Sequence, residues 1–385
     1  MLKNLYGEKG VALSQAELNG IFSSQGLYTT CRGGQFTRLK GANLNGLNMA
    51  NRNLKEADLS GSSFVDANLF GSNLERASLY CADLRRCNLR SANLTGADMR
   101  GASFKGANLS LAVLDYSDLR AGMMMCVSAK GDASIIDRGD LSNGGNGAAG
   151  GVDFSNCSMR GASFGNARLD NANFDGALLV GARFRGAKLT SASFRGAVLM
   201  GVNVSELGVP PEALKDCVLD VSAQAQAKSA ELKAKLDAHH IWVASGGKQG
   251  SAAVLDGEDL RPLRKELAGL SLIGLSARHV VAIGISFAGC QLQGAKFDGA
   301  DLRDADFAGA DLSGASLKDA KLAYAKFNGT SLRNLHLVSG KVIRPDLTGA
   351  EATEDQFLGA RLDENVSILG LPVLVVRESP VLQDA

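Results

Sequence analysis

Histidine and aromatic residues are scarce in this chain: 4 His, 1 Trp, 5 Tyr and 15 Phe among 385 residues. A surplus of one charge is also missing, with 41 Lys and Arg against 40 Asp and Glu. Net charge therefore gives no argument for a nucleic-acid binder or an acidic mimic. No run of about 18 apolar residues occurs, which excludes a membrane-spanning helix on hydropathy. Met1 to Gln15 lacks the apolar stretch of a signal peptide, so the expectation is a soluble protein of the cytoplasm. Seven cysteines at scattered spacings fit a reducing compartment. What the chain does have is 45% hydrophobic residues and 46 glycines, the latter well above the roughly 7% of an average protein. That composition points to a large core built from something repetitive and tightly turned.

The repeat has a period of five, which neither a helix nor a flat strand gives. A large apolar residue recurs without a miss from Leu39 through Leu84, Leu94 and Phe104 to Met124. A second array runs from Phe154 through Phe164, Phe174, Phe184 and Phe194 to Leu199 and fades at Val204. A third runs from Phe287 through Phe307 and Phe327 to Leu337, decays through Val342 and Leu347, and reappears at Phe357 and Leu362. Two residues before each large side chain usually sits a small one, as at Ala92, Ala97, Ala102 and Ala107, and Gly often takes the fifth place, as at Gly96 and Gly101. Glycine there suits a tight corner. A chain that turns every five residues and buries two of them winds into a coil, and coils stack through backbone hydrogen bonds.

Segments such as Ala92-Asn93-Leu94-Thr95-Gly96 and Ala300-Asp301-Leu302-Arg303-Asp304 resemble the pentapeptide-repeat family. The resemblance implies an all-β repeat solenoid, a right-handed quadrilateral parallel β-helix with four pentapeptides per coil. Positions 20 apart should then stack, and Phe154, Phe174 and Phe194 fall at that interval, as do Phe287, Phe307 and Phe327. Packing rather than ligand binding explains these rings. The first two arrays share one frame across the gap from Met124 to Phe154, which reads as one rod with a side insertion, about seven coils long at the strand spacing.

The frame divides the chain into an N-terminal cap (1–35), a repeat segment (36–205) with a Gly-rich insertion (125–151), a helical insert (206–254), a second repeat segment (255–363) and a C-terminal cap or tail (364–385). The insertion reads as a mobile loop. Its Gly145, Gly147 and Gly150 match GxGxxG formally, without the preceding strand and following helix of a dinucleotide site. In the insert, Leu232, Leu236, His239 and Val243 share one helical face, and Gly246 and Gly247 end the helix. His239, His240 and Trp242 form the most chemical-looking cluster, but neighbouring histidines leave a helix on different faces. One histidine and Trp242 are expected to seat the helix on a coil. Leu47 and Arg52 take small inward slots; a buried unpaired arginine is costly, so a bulge turning Arg52 outward is expected. Leu335, Pro345 and Asp355 break the pattern near the end, where distorted coils or a bound neighbour are expected. Apolar Val366 to Val376 reads as a cap or, as in relatives that pair through their C-terminal ends, a homodimer contact.

No catalytic motif emerges. The four histidines stand apart from any nucleophile, Cys87, Cys157 and Cys290 occupy small inward slots, and Cys81 lies near a corner without an activating pattern. No metal, no cofactor and no enzymatic activity are expected. A rigid rod instead displays outward side chains at fixed spacing. Arg85, Arg86, Arg90, Arg100, Lys105 and Arg120 should form a mildly basic strip that Arg183, Arg185 and Arg195 extend, whereas the third array is slightly acidic through Asp298, Asp301, Asp304, Asp306, Asp311 and Asp319. The expectation is a protein–protein interaction scaffold whose partner is another protein, with nucleic acid disfavoured. The resemblance offers an alternative, since some relatives mimic DNA and bind type II topoisomerases such as gyrase, but that needs a strongly negative rod. A secreted effector or membrane-associated adaptor is the third reading, without a lipidation signal to support it.

Overall fold

The structure, a computed structural model, describes residues 13–20, 39–127, 133–137, 151–264, 266–363, 367–368 and 371–372. Within each five-residue side, the residue before the large one bridges in parallel to its counterpart 20 positions on, as in Asn73 to Asn93 and Asp98 to Asp118. Leu94 N–H donates to Val113 O at 2.7 Å, and Asn93 N–H to Ser72 O at 2.9 Å. Sides this short hold one bridge each rather than a strand, because the corner comes at once. At the corner, Ala97 N–H donates to Leu94 O at 3.0 Å, and Gly96 between them has φ +65°, the left-handed turn position that glycine takes without strain. The side chain before the large residue supports the same turn: Asn93 Oδ1 accepts from Thr95 N–H at 3.1 Å. This is why Asn, Asp and Ser recur there.

The expected core residues Leu84, Leu94, Phe104, Phe154, Phe174, Phe194, Phe287, Phe307 and Phe327 are all buried. Phe154, Phe174 and Phe194 form a column of nearly parallel rings, with centroids 5.1 and 5.0 Å apart. Phe164 and Phe184 form another at 4.8 Å. Rings ten positions apart, on opposite sides of a coil, meet edge to face across the interior, as Phe164 and Phe174 do at 5.9 Å and 88°. Both geometries are favoured by the ring quadrupole.

The chain divides into two compact units, Met1–Asp220 and Val221–Ala385. In the first, the ladder crosses the glycine-rich interruption: Asn108 bridges to Asp153, Val113 to Ser158 and Asp118 to Ser163. That step of 45 is one coil plus 25 residues, so the insertion is a whole number of pentapeptides and the frame survives it. The insertion is not loop throughout. Its start pairs strand β1 (Met123–Val127) antiparallel with β2 (Ala133–Asp137), while Gly145, Gly147 and Gly150 lie outside the described residues. The chain leaves and rejoins the stack at two glycines. A Cβ on Gly122 would stand 2.7 Å from Gly101 N, and one on Gly151 1.8 Å from Asn171 O. The ladder then runs past the point where the repeat fades, with Val198 bridging to Val218.

Helix α1 (residues 15–20) covers the first coil. Gln15 Oε1 accepts from Asn48 N–H at 3.0 Å and its Nε2 donates to Asn48 O at 2.9 Å. One side-chain amide thus replaces the peptide of a missing coil. Leu18 is buried and Leu47 packs on the core beside it. Arg52 is exposed and its Nη2 donates to Asn19 Oδ1 at 3.3 Å, as expected, but without the expected bulge: Asn53 keeps its bridge to Asn73. A first coil has no coil before it, so its small slots accept longer side chains that reach toward the cap.

In the second unit, a short helix α2 (Ala223–Ala227) precedes α3 (Ser229–Ala244), which buries Leu232, Leu236 and His239. Gly246 and Gly247 follow its end with φ +62° and +85°. The ladder begins with a step of 22, Val254 to Ser276, settles to 20, as in Ser271 to Gln291, and lengthens to 30 from Ser316 to Asp346. The extra ten residues belong to a second hairpin, β4 (Leu335–His336) antiparallel to β5 (Val342–Ile343), inserted between β3 (Ser331–Leu332) and β6 (Arg361–Leu362), which pair in parallel. This corrects the reading of Leu337 and Val342 as core: they are 38% and 44% exposed. Phe357 resumes the column, 4.6 Å from Phe327. At this last coil Gln356 Nε2 donates to Leu322 O at 2.7 Å and Ala325 O at 2.9 Å, again a glutamine filling open ladder positions. Of the segment Val366 to Val376, read as cap or dimer contact, only Ser367–Ile368 and Leu371–Pro372 are described, and they pair antiparallel; the remainder lies outside the described residues.

Candidate interaction surface

Outward side chains occupy the places just before and just after each large residue, so an Asp and an Arg two apart emerge side by side. Arg85 pairs with Asp83 at 2.6 Å, Arg100 with Asp98 at 2.7 Å and Arg120 with Asp118 at 2.6 Å, each through two guanidinium nitrogens. Pairing also runs along columns: Arg86 lies 2.6 Å from Asp66, and Arg195 3.2 Å from Asp175. Hydrogen bonds from Arg86 hold the Asp66 carboxyl below its ordinary range. Arg100 also rests 5.4 Å over the Tyr80 ring. The expected basic strip is thus largely neutralised by aspartates that the column arithmetic brings alongside. Arg90, Lys105, Arg183 and Arg185 make no ion pair among the described residues, and Arg90, Arg183 and Arg185 are exposed.

The acidic tendency of the third array is offset only in part, at Asp298 and Asp301. Arg278 bridges Asp256 at 3.3 Å and Asp298 at 3.1 Å. Asp301 pairs with Arg303 at 2.6 Å, and the arginine side chain is only 4% exposed. Asp311 accepts from Gln293 Nε2 at 2.7 Å. The burial of Arg303 and of Arg261, paired with Asp259 at 2.6 Å, went unanticipated in the sequence reading. The Asp-Leu-Arg triplet is no signal of it, since it occurs at Asp83, Asp118, Asp259 and Asp301 while the Arg85 and Arg120 side chains are 38% and 52% exposed.

Several potentially reactive side chains among the described residues are engaged by the backbone. Cys157 and Cys290 donate to Leu109 O at 2.7 Å and Leu267 O at 2.8 Å, as Thr330 does to Phe307 O at 2.7 Å. A thiol or hydroxyl in the small slot reaches the carbonyl of a large residue one coil back. Burial pushes the Cys87 thiol up to about 12 and raises Cys157 and Cys290 as well, so none is a thiolate nucleophile. His239 is fully buried, accepts from Ala253 N–H on Nδ1 at 2.9 Å, and stacks on Trp242 with centroids 5.6 Å apart. His240 faces elsewhere, toward Ser271 N at 3.4 Å. Among the described residues no group of three His, Cys, Asp or Glu is placed to hold a metal ion, and no helix is long and apolar enough to cross a membrane.

Coils of four pentapeptides with one large and one small residue inside each side define a repeat protein of a particular kind. The family profile described as pentapeptide repeats matches eight copies, over residues 35–69, 67–106, 92–121, 150–186, 167–205, 285–322 and 300–337. The chain belongs to the pentapeptide-repeat family. No curated protein matches it. Among solved structures it is similar to a pentapeptide repeat protein of the Arabidopsis thaliana thylakoid lumen, at 25% identity over 34% of this chain and 69% of that one, with a TM-score of 0.22. It is similar at 18% identity to QnrB1, a plasmid-mediated fluoroquinolone resistance protein (52% and 93% covered, TM-score 0.24). HetL, involved in heterocyst differentiation regulation in the cyanobacterium Nostoc, is also 18% identical (89% and 94% covered, TM-score 0.15). At these TM-scores we transfer no function from them.

Proposed function

We propose that the protein is a non-enzymatic scaffold of the cytoplasm, whose repeat segments are right-handed quadrilateral β-helices that display side chains to another protein. The observation that carries this reading is the division of labour between inside and outside. The Cys157 and Cys290 thiols and Nδ1 of His239 are engaged by backbone groups, while charged side chains stand outward at five- and twenty-residue intervals. A side chain held by such a ladder binds without further ordering of its backbone. The exposed cations Arg183 and Arg185, with Arg90, are the candidate contacts, because their charge is not already matched by a neighbouring carboxylate.

A DNA mimic directed at a type II topoisomerase is the less favoured reading, since Arg278 and Arg303 interrupt the negative face it requires. Cross-linking and recovery of the tagged full chain from its native cell tests the scaffold. The expected outcome is a specific protein retained by the parent chain and lost from the Arg183→Glu/Arg185→Glu variant at an unchanged melting temperature. Recovery of the same proteins by both chains would remove these arginines from the site, and inhibition or protection of gyrase supercoiling by the parent chain would favour the alternative.

A further inference from the structure

The hairpin of β4 and β5 serves no packing purpose at its tip. Its base is anchored: Leu335 is half-buried against the corner glycine Gly314, where an added Cβ would stand 2.6 Å from Leu335 Cβ and 3.3 Å from Ile343 Cβ. Leu337 N–H donates to Lys341 O, and Gly340 N–H to Leu337 O, each at 2.9 Å, so the turn is closed and projects as a unit. At its apex Val338 is 110% exposed, flanked by the exposed Leu337 and Val342. Residues 333–344 contain Arg333, His336, Lys341 and Arg344 and no Asp or Glu. His336, Lys341 and Arg344 are exposed, while Arg333 lies 3.9 Å from Asp363.

We propose that this hairpin is a peripheral docking element for an anionic lipid surface, with Leu337, Val338 and Val342 entering the headgroup region and Lys341 and Arg344 contacting lipid phosphates and carboxylates. Three apolar side chains on a convex tip offer far less than the roughly 800 Å² per partner of a stable protein interface. They suit a bilayer boundary, which needs no complementary groove and where each nearby cation adds attraction to anionic lipid. The site does not depend on the scaffold reading, since it lies on a different segment and needs no protein partner.

Co-sedimentation of the full chain with large unilamellar vesicles is the test. The expected result is pelleting with phosphatidylserine–phosphatidylcholine vesicles, little with phosphatidylcholine alone, and a drop of about fivefold or more in bound fraction for Val338→Asp and for Lys341→Glu/Arg344→Glu. All three side chains are outside the core, so melting curves should match the parent; if Val338→Asp fails to fold, the charge-reversal pair still decides. Absence of pelleting with phosphatidylserine, or equal pelleting of parent and variants, overturns the proposal. So does a cross-linked protein neighbour that Val338→Asp alone loses in a chain that ignores vesicles.

Discussion

At the scale of single residues, the corner position two after each large side chain separates backbone preference from packing. It has a positive φ in most coils, and Ser91, Leu111 and Tyr116 occupy it with φ of 58°, 61° and 59°. A non-glycine residue there costs about 1 kcal/mol. Ser91 is exposed, so Ser91→Gly should raise the melting temperature slightly. Gly101→Ala should do the opposite, because its Cβ would meet Cys81 Sγ and Gly122 Cα, each at 2.9 Å. Equal melting curves for the two variants would show that neither strain nor contact limits the corner. Leu94, fully buried, gives the complementary test of the interior: Leu94→Lys should unfold neighbouring coils, whereas Arg85→Ala, on a part-exposed ion pair, should change stability by no more than about 0.5 kcal/mol. The inward residues were legible in the sequence because burial follows the beat of five. The outward ones were not, since their environment depends on residues a coil away. Arg85 and Arg303 sit in the same triplet, but one side chain is 38% and the other 4% exposed. Arg303 has Ile283 and Ala323 as its column neighbours, whereas Arg85 has Val65 on one side and the charged Lys105 on the other.

At the scale of elements, helix α3 was legible from its apolar face, and the structure shows that face seating through a titratable group. Burial lowers the pKa of His239, opposed by backbone groups at Leu272 and Ile273 and reinforced by the neighbouring His240. The folded-state pKa therefore lies below the unfolded value near 6.5, so the neutral form is the one the fold prefers. Its contribution is complete above about pH 6.5 and declines as pH falls toward the folded-state pKa. Trp242, the one tryptophan of the chain, stacks on this ring, so its fluorescence should change as His239 protonates. In His239→Gln that acid-side change should be absent; an unaltered pH profile in the variant would assign the titration to another group. The two hairpins were illegible as hairpins. Leu337 and Val342 keep the five-residue beat by sequence position alone, because an insertion of ten residues leaves every later residue in frame.

At the scale of the whole molecule, one rule governs what the fold tolerates: segments are accepted in multiples of the repeat. The steps of 45 and 30 across the two hairpins are one coil plus five and plus two pentapeptides, and both leave the residue before each large side chain on the ladder. The step of 22 at the entrance to the second unit departs from it, where the chain forms a 3-10 turn at Arg261–Leu263. In a stack whose stability is a sum of coils and contacts between neighbours, a whole extra coil should therefore be accommodated in mid-stack. Residues 78–97 are suited to the experiment. Their large positions Leu79, Leu84, Leu89 and Leu94 and small positions Ala82, Cys87, Ala92 and Ala97 are all buried, and Ser78 bridges to Asp58 on one side and Asp98 on the other. A tandem copy of these 20 residues after Ala97 should fold with a melting temperature at or above the parent's, because each new ladder bond and leucine contact repeats an existing one. A copy shortened by two residues would turn the following large side chains off their columns and should lose the cooperative transition. If calorimetry found both insertions equally tolerated, the ladder of twenty could not be what orders the coils.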